Sequence, residues 1–303
     1  YNYFIKFARF LEENGNGKLN RNSSDICTNH KVYCEKLKTF FLDCQQRFDV
    51  NYWKLDGFSA RPPQPDPQGN YISGGYQGMY YVTEHWERWI DIFQAMRNQR
   101  GEKRNDLWIN LTCYVNPSPW FLQWGNSVWM QNSQDIGRLN VKRLSQLDQL
   151  LSYRDDRYFD FVKTRAFQFP LAHLYNHDPI YGNTANLAGK MNDDEFRTYL
   201  MMMATRGTAF WELYYSYNMM NEGQKWVINA DVLHWINDNY EILKHAKLIG
   251  QTPAKGTPYG YSAWSGQEGI ISVRNPSDEV KEFDFTLDRI IGMPEGLKGL
   301  YRT

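Results

Sequence analysis

The stretch Asn51-Tyr52-Trp53-Lys54-Leu55-Asp56-Gly57-Phe58 decides the fold. Its β-prone residues from Val50 to Leu55 run into an Asp-Gly turn, which is how a strand ends. The period of two puts Lys54 and Asp56 on one face of that strand. Upstream, Tyr33, Leu37, Phe40, Phe41, Cys44 and Phe48 recur at three- and four-residue steps, so Asn29 to Phe48 reads as a helix. Downstream, Arg61 to Gly78 is rich in Pro and Gly and reads as a long loop. A second helix follows, with Thr83 as N-cap, Glu84 and Glu87 in its first turn and Gly101 past its end. Its inner face carries Trp86, Trp89, Ile90, Phe93 and Met96 or Arg97, and Leu107 to Val115 is the next strand. Strand, crossover helix and strand make a parallel unit.

The alternation continues along the chain. Val128 to Gln131 reads as a strand, Val141 to Tyr153 as a helix and Ala166 to Leu174 as a strand. Asn192 with Glu195 three residues on is a capping-box pattern opening a helix that Gly207 stops. Thr208 to Tyr214 reads as a strand and Asp231 to Leu248 as a helix ended by Gly250. From Gly256 the pattern changes to short strands over Tyr259–Trp264, Gly269–Arg274 and Val280–Leu287. The expected architecture is therefore α/β, a (β/α)8 barrel of the TIM type over 1–256. It lacks its first strands and is followed at 257–303 by the start of an antiparallel β-sandwich. Five strands are clear and Tyr3 to Phe10 offers a sixth. The apolar opening at Tyr1, without Met, reads as a piece of something longer.

Composition narrows the function. The 303 residues carry 34 Lys+Arg against 34 Asp+Glu, a net charge of zero with no basic block. Nucleic acid and anionic membrane are therefore not expected partners. No apolar run approaches the roughly 18 residues of a membrane span. Aromatic residues make up 16%, with 11 Trp and 21 Tyr. Such rings fill cores, and flat rings also stack on the C–H faces of sugars. The four cysteines (27, 34, 44 and 113) show no metal-ligand or CxxC spacing and read as free, mostly buried thiols.

In a barrel, residues at the C-terminal ends of strands form the active site. Asp56 stands at such an end beside Lys54, and a neighbouring ammonium favours a carboxylate in its charged form. A charged, strand-anchored carboxylate suits attack on an anomeric carbon, though a strand-end Asp also caps turns. A second segment, Trp124 to Arg138, ends another strand and contains Asp135. Two facing carboxyl groups are what glycoside hydrolysis needs. His177 and Asp178 follow the strand ending at Leu174 and could meet sugar hydroxyls or simply build the loop. Trp211 and Glu212 sit late in the last barrel strand, where Glu212 either faces the pocket or pairs with a helix. Trp120 and Trp124 could wall a pocket or pack in the core. A single His-Asp pair is a weak metal signal, and no metal or cofactor is expected. The sequons at Asn22 and Asn110 and the Glu13-to-Gly17 segment carry no further chemistry, Asn110 lying in a buried strand.

Tyr52-Trp53-Lys54-Leu55-Asp56-Gly57 resembles the nucleophile strand of melibiase-like glycosidases, glycoside hydrolase family 36 and its relatives in families 27 and 31. The order of strands and helices around it is similar, and so is the change to β structure near Gly256. The resemblance implies a retaining exo-α-glycosidase acting on terminal α-galactose or α-N-acetylgalactosamine. Asp56 falls on the nucleophile and Lys54 on a residue that binds substrate hydroxyls. The family's Trp-x-Ser-Asp-x-x-Asp pattern would put Asn132 at the acid/base, and an amide donates no titratable proton. Asp135 matches the second acidic position and is taken as the acid/base, with Arg138 as a substrate contact. Cys113 matches a family cysteine near substrate. Trp53, Trp129, His177, Asp178 and Trp211 complete the candidate contacts. Retention requires carboxyl groups about 5–5.5 Å apart or somewhat more. The expected partner is an oligosaccharide or glycoconjugate, which would place the protein outside the cell or in the periplasm. Transglycosylation, or sugar binding by a catalytically inactive barrel, are the alternatives.

Overall fold

The computed structural model of the chain describes residues 21–22, 25–26, 31–56, 81–101, 104–113, 117–139, 145–167, 169–183 and 191–297. The chain falls into two compact units, Tyr1–Trp129 and Met130–Thr303. The loop expected over 61–78, the strand expected over 3–10 and Cys27 lie outside the described residues.

In the first unit, α1 (Lys31–Phe48), β1 (Tyr52–Asp56), α2 (Tyr81–Gly101), β2 (Trp108–Thr112) and β3 (Ser127–Trp129) follow the predicted order. The three strands run parallel, with Lys54 opposite Asn110 and Asn110 opposite Ser127, and with Asp56 opposite Thr112. The pleat sorts their side chains. Trp53, Leu55, Ile109, Leu111 and Val128 form one face, and Lys54, Asp56, Asn110, Thr112, Ser127 and Trp129 the other.

The helices supply the apolar cover. On α1, Cys34, Leu37 and Phe41 are buried at helical spacing, and on α2 Ile92, Phe93 and Met96 are. Each fully buried side chain of this size contributes about 1.5–3 kcal/mol. Phe41 meets the Trp53 ring edge-on at 4.8 Å between centroids. Gln45 ties the layers together: its amide donates to Met96 O at 3.0 Å and its carbonyl accepts from Trp53 Nε1 at 3.2 Å. Two local expectations change. Helix α2 already includes Tyr81 and Val82, so Thr83 is an interior residue and not the N-cap. The strand expected to Val115 is described as ending at Thr112.

At the opposite end of these strands, buried Arg100 holds Asp106 at 2.9 Å and Asp49 at 3.1 Å. The Arg100 guanidinium keeps the Asp106 carboxyl down at about 2, below its ordinary value of 3.8. Asp49 is lowered too, first by Arg104 and then by Arg100. A carboxyl lowered by folding stabilises above its unfolded value and loses that contribution as pH falls through its folded value. Arg100→Leu should therefore lower the urea midpoint of unfolding at neutral pH. The gap from wild type should narrow between about pH 4 and pH 2. A gap independent of pH would exclude this pairing as its source.

The second unit contains α3 (Gln146–Phe159), β4 (Leu174–Tyr175), β5 (Ile180–Tyr181), α4 (Asp193–Ala204), β6 (Tyr214–Tyr215), α5 (Lys225–Leu243), β7 (Lys247–Gly250), β8 (Tyr259–Ser265) and β9 (Glu268–Arg274). β5 and β6 pair in parallel, Ile180 with Tyr214. β8 lies between β7 and β9 in an antiparallel sheet. The capping box forms as read: Glu195 N donates to Asn192 Oδ1 at 2.9 Å, and Asn192 N to Glu195 Oε2 at 2.8 Å. Gly207 follows α4 with φ +71°, and a Cβ there would meet Leu243 O at 2.0 Å.

Several expected spans are corrected. Helix α3 starts at the Ser145 cap, whose hydroxyl accepts from Asp148 N at 3.1 Å, and it runs past Tyr153 to Phe159. After a π-turn over Asp160–Thr164, the left-handed Ala166 and a 3-10 turn at Leu171–His173 replace most of the strand expected over 166–174. The strand expected over 208–214 shrinks to its end, where Tyr214 begins the two-residue strand with Tyr215, preceded by single backbone bonds from Ala209 N to Ala172 O and from Glu212 N to Asp178 O. Helix α5 begins earlier, at Lys225, whose ammonium pairs with Asp193 at 2.5 Å, and it stops at Leu243. Residues 247–250 are strand, because Leu248 and Gly250 pair with Tyr261 and Tyr259 and sheet pairing overrides helical periodicity. Val280–Leu287 forms no strand. Its alternation serves packing, with Phe283 and Leu287 against Ile249, Ile291 and Met293 while Val280 is fully exposed.

Beneath this lies a buried polar chain. Asp155 on α3 has no exposed surface. It accepts from Arg206 Nε at 2.7 Å, from Tyr261 Oη at 2.7 Å and from Tyr259 Oη. Burial, then the Asp155 charge, push both phenols well above the ordinary tyrosine range. Arg274 on β9 adds a bond to Tyr259 Oη at 2.9 Å and to Asp148 at 2.8 Å. Losing one partner of a buried ion pair costs about 3–5 kcal/mol, and losing one neutral hydrogen bond about 1 kcal/mol. Asp155→Asn should accordingly destabilise the protein by about 3–5 kcal/mol in urea, and Tyr261→Phe by about 1 kcal/mol. Equal losses for the two variants would contradict the central place of Asp155.

Candidate functional site

Two polar clusters lie where the sequence placed chemistry, one in each unit. In the first unit, Lys54 and Asp56 project from the polar face of β1, Asp56 at its C-terminal end and exposed. Beside them Asn110 is fully buried, donating to Tyr52 Oη at 2.9 Å and accepting from Trp108 Nε1 at 2.6 Å and from Ser127 Oγ. Trp129 is buried, 6% exposed. Cys113, just past β2, is 1% exposed, and burial pushes its thiol up. Trp53, one of the expected sugar contacts, lies by alternation on the helix face, where it meets Phe41 and Gln45. Cys34 and Cys44 are free thiols, and their spacing along α1 keeps them from pairing with each other.

In the second unit, Asp135 stands on the turn after Met130, with its side chain 78% exposed. The turn is held from below by Arg154 of α3, itself 1% exposed. Arg154 Nη1 donates to Ser133 Oγ at 2.8 Å and Gln134 O at 3.0 Å, and Nη2 to Asp135 O at 2.7 Å. Tyr153 Oη accepts from Gln134 N at 2.9 Å. Arg154 Nε in turn meets Asp178 at 3.2 Å, and Arg206 meets the same carboxylate at 2.8 Å. Asp178, expected as a hydroxyl contact or as loop structure, is 7% exposed and engaged by two guanidinium groups. Burial disfavours the charge on Arg206, but Asp155 and Asp178 outweigh it and raise that group well above its ordinary value.

His177, next to Asp178, brings the remaining carboxylates together. Its Nε2 lies 3.4 Å from Asp135 Oδ1, and its Nδ1 hydrogen-bonds to Glu212 Oε2. Glu212 gets there by strand pairing: Glu212 N donates to Asp178 O at 2.9 Å and Tyr214 N to Pro179 O at 3.1 Å. Tyr214 lies edge-on to the imidazole at 4.8 Å. Both ring nitrogens thus face carboxylates. Among the described residues no group of His, Cys, Asp and Glu is arranged to hold a metal ion.

Asn132 is drawn into the scaffold. Its amide donates to Arg157 O and to Asp160 Oδ2, both at 3.0 Å. Burial works against the Asp160 charge, yet the Asn132 and Arg165 bonds bring that carboxyl below its ordinary range. Arg138 is exposed and Trp211 half-buried. A cleft of about 860 Å³ between α3, α4 and β9 is lined by Tyr199, Met202, Trp235, Ile271 and Arg274 among others. None of Asp135, His177 and Glu212 borders it.

No known protein family and no curated protein matches the chain. A solved structure does: a variant of the GH36 alpha-galactosidase AgaA from Geobacillus stearothermophilus, in complex with 1-deoxygalactonojirimycin. The likeness has a TM-score of 0.49 at 10% identity and covers 87% of this chain. The chain spans 34% of that protein's length. Among the described residues no helix is long and apolar enough to cross a membrane.

The turn carrying Asp135 makes a sharp demand at Gly137, where a Cβ would sit 2.3 Å from the Tyr153 ring. Gly137→Ala must displace the ring that caps Gln134 N. Overpacking of this kind costs about 1–3 kcal/mol, and thermal unfolding should show that loss. The double variant Gly137→Ala with Tyr153→Leu should recover part of it. No recovery would mean that the ring is not the obstacle.

Proposed function

We propose that the chain belongs to a retaining exo-α-glycosidase, built on a (β/α)8 barrel over 1–256 with a sandwich beginning at 257. Its substrate is an oligosaccharide or glycoconjugate ending in α-galactose or α-N-acetylgalactosamine. The observation that carries the reading is Asp56 at the end of parallel strand β1, with Lys54 one pleat earlier on the same face. In the proposed reaction Asp56 attacks the anomeric carbon and forms a glycosyl-enzyme. Asp135 first protonates the departing oxygen, then takes a proton from the water that releases the sugar. Lys54, Trp129, Arg138, His177 and Trp211 are the proposed contacts to substrate.

The bonding of Asn132 favours Asp135 as the proton donor. An amide committed to Arg157 O and Asp160 serves the scaffold. Asp135 is the carboxyl on that turn that solvent, and so a substrate, can reach. This makes an active enzyme the better reading than an inactive sugar-binding barrel.

The test is a panel of aryl α-glycosides of galactose, N-acetylgalactosamine, glucose and xylose. We expect release from galactose or N-acetylgalactosamine, abolished in Asp56→Ala. Asp135→Ala should lose on the order of 10²–10⁴-fold on unactivated glycosides, and much less on activated ones, whose leaving groups need no proton. Turnover that survives Asp56→Ala would refute the assignment. Oligosaccharides growing without free monosaccharide would change the reaction to transglycosylation.

A further inference from the structure

Glu212, which sequence reading leaves between pocket and scaffold, is joined to Asp135 through a single imidazole. The arrangement has a direction. Glu212 is 9% exposed in its side chain, His177 17% and Asp135 78%, so the row runs from the interior to solvent. Each inner member is fixed by independent means. The backbone of Glu212 is held on Asp178 O, and the His177 ring lies against Tyr214. The backbone of Asp135 is pinned by Arg154. What remains free to turn is the Asp135 side chain, and the group facing its Oδ1 is His177 Nε2.

We infer that Glu212 and His177 are positioning residues for Asp135. Glu212 accepts from His177 Nδ1 and fixes the ring, and the ring fixes the rotamer in which the Asp135 carboxyl faces the departing oxygen. This inference rests on the proposed glycosidase reading and deepens it. Holding a proton donor in line is worth part of the 10²–10⁴-fold that general acid catalysis supplies. The gain is confined to leaving groups that need the proton. A residue that only supports the fold would affect all substrates alike.

The experiment compares wild type, His177→Ala, Glu212→Ala and Glu212→Gln on two glycosides of the same sugar, one with a methyl and one with a 2,4-dinitrophenyl aglycone. Thermal unfolding reads the integrity of each variant. We expect both Ala variants to lose roughly 10–100-fold in kcat on the methyl glycoside, with a several-fold smaller loss on the dinitrophenyl one, and with KM little moved in Glu212→Ala, which touches no substrate. Glu212→Gln, whose amide oxygen still accepts from Nδ1, should recover most of the loss. Equal losses on both substrates, or failure of Glu212→Gln to recover, would overturn the positioning role alone. If wild type hydrolyses neither glycoside of any sugar in the panel, the glycosidase reading itself falls, and the inference with it.

Discussion

The turn that presents Asp135 in the second unit hangs on a chain of buried charges. Asp155, without exposed surface, takes the Arg206 guanidinium. Arg206 reaches Asp178, and Asp178 takes Arg154 as well. Arg154 spends its outer nitrogens on the turn that presents Asp135. Isolated in a low dielectric, any one of these groups would cost several kcal/mol, so the chain holds only when every link is made. That all-or-none demand fixes helix α3, the 176–181 segment and the Asp135 turn to one another. Two tyrosines of β8 bond the same Asp155, which ties the antiparallel sheet into the arrangement.

The first unit works by a different rule. Its strands are sorted by the pleat into an apolar face under α1 and α2 and a polar face that carries Lys54, Asp56 and Asn110. The buried charge of α2, Arg100, sits at the far end of these strands with Asp106 and Asp49, and most of the stability under the helices is area removed from water. The contrast suits the proposed roles. A nucleophile on a strand end is positioned by the strand itself. A proton donor on a turn needs a scaffold, and here the scaffold is electrostatic.

This difference explains how much could be read in the sequence. Helices α1 and α2, strand β1 and the Asn192 capping box were legible, since hydrophobic period and cap chemistry are local signals. The face bearing Lys54 and Asp56 followed from period two. Arg154-Asp155-Asp156-Arg157 was not legible: four consecutive charges inside a helix ordinarily mean a solvated face, yet Arg154, Asp155 and Asp156 are buried. Their partners lie far along the chain, up to 106 residues away for Tyr261, and no spacing announces them. The strands expected over 166–174 and 208–214 shrank for the same reason. In 166–174 a left-handed Ala166 and the turns around Pro170 break the pairing, and in 208–214 Leu213 and Tyr214 are exposed and the apolar run does not mark a buried strand. Glu212 was visible as a candidate, but its partner His177 appears only once β5 and β6 are paired.

The claim at the centre of this account is that Asp56 becomes covalently joined to the substrate's anomeric carbon. Incubation with 5-fluoro-α-galactosyl fluoride, which slows release of a glycosyl-enzyme, followed by peptide mass spectrometry, addresses it directly. One added glycosyl mass per chain is expected, on the peptide containing Asp56 and absent in Asp56→Ala. A label on any other residue, or hydrolysis with no covalent species under these conditions, would contradict it.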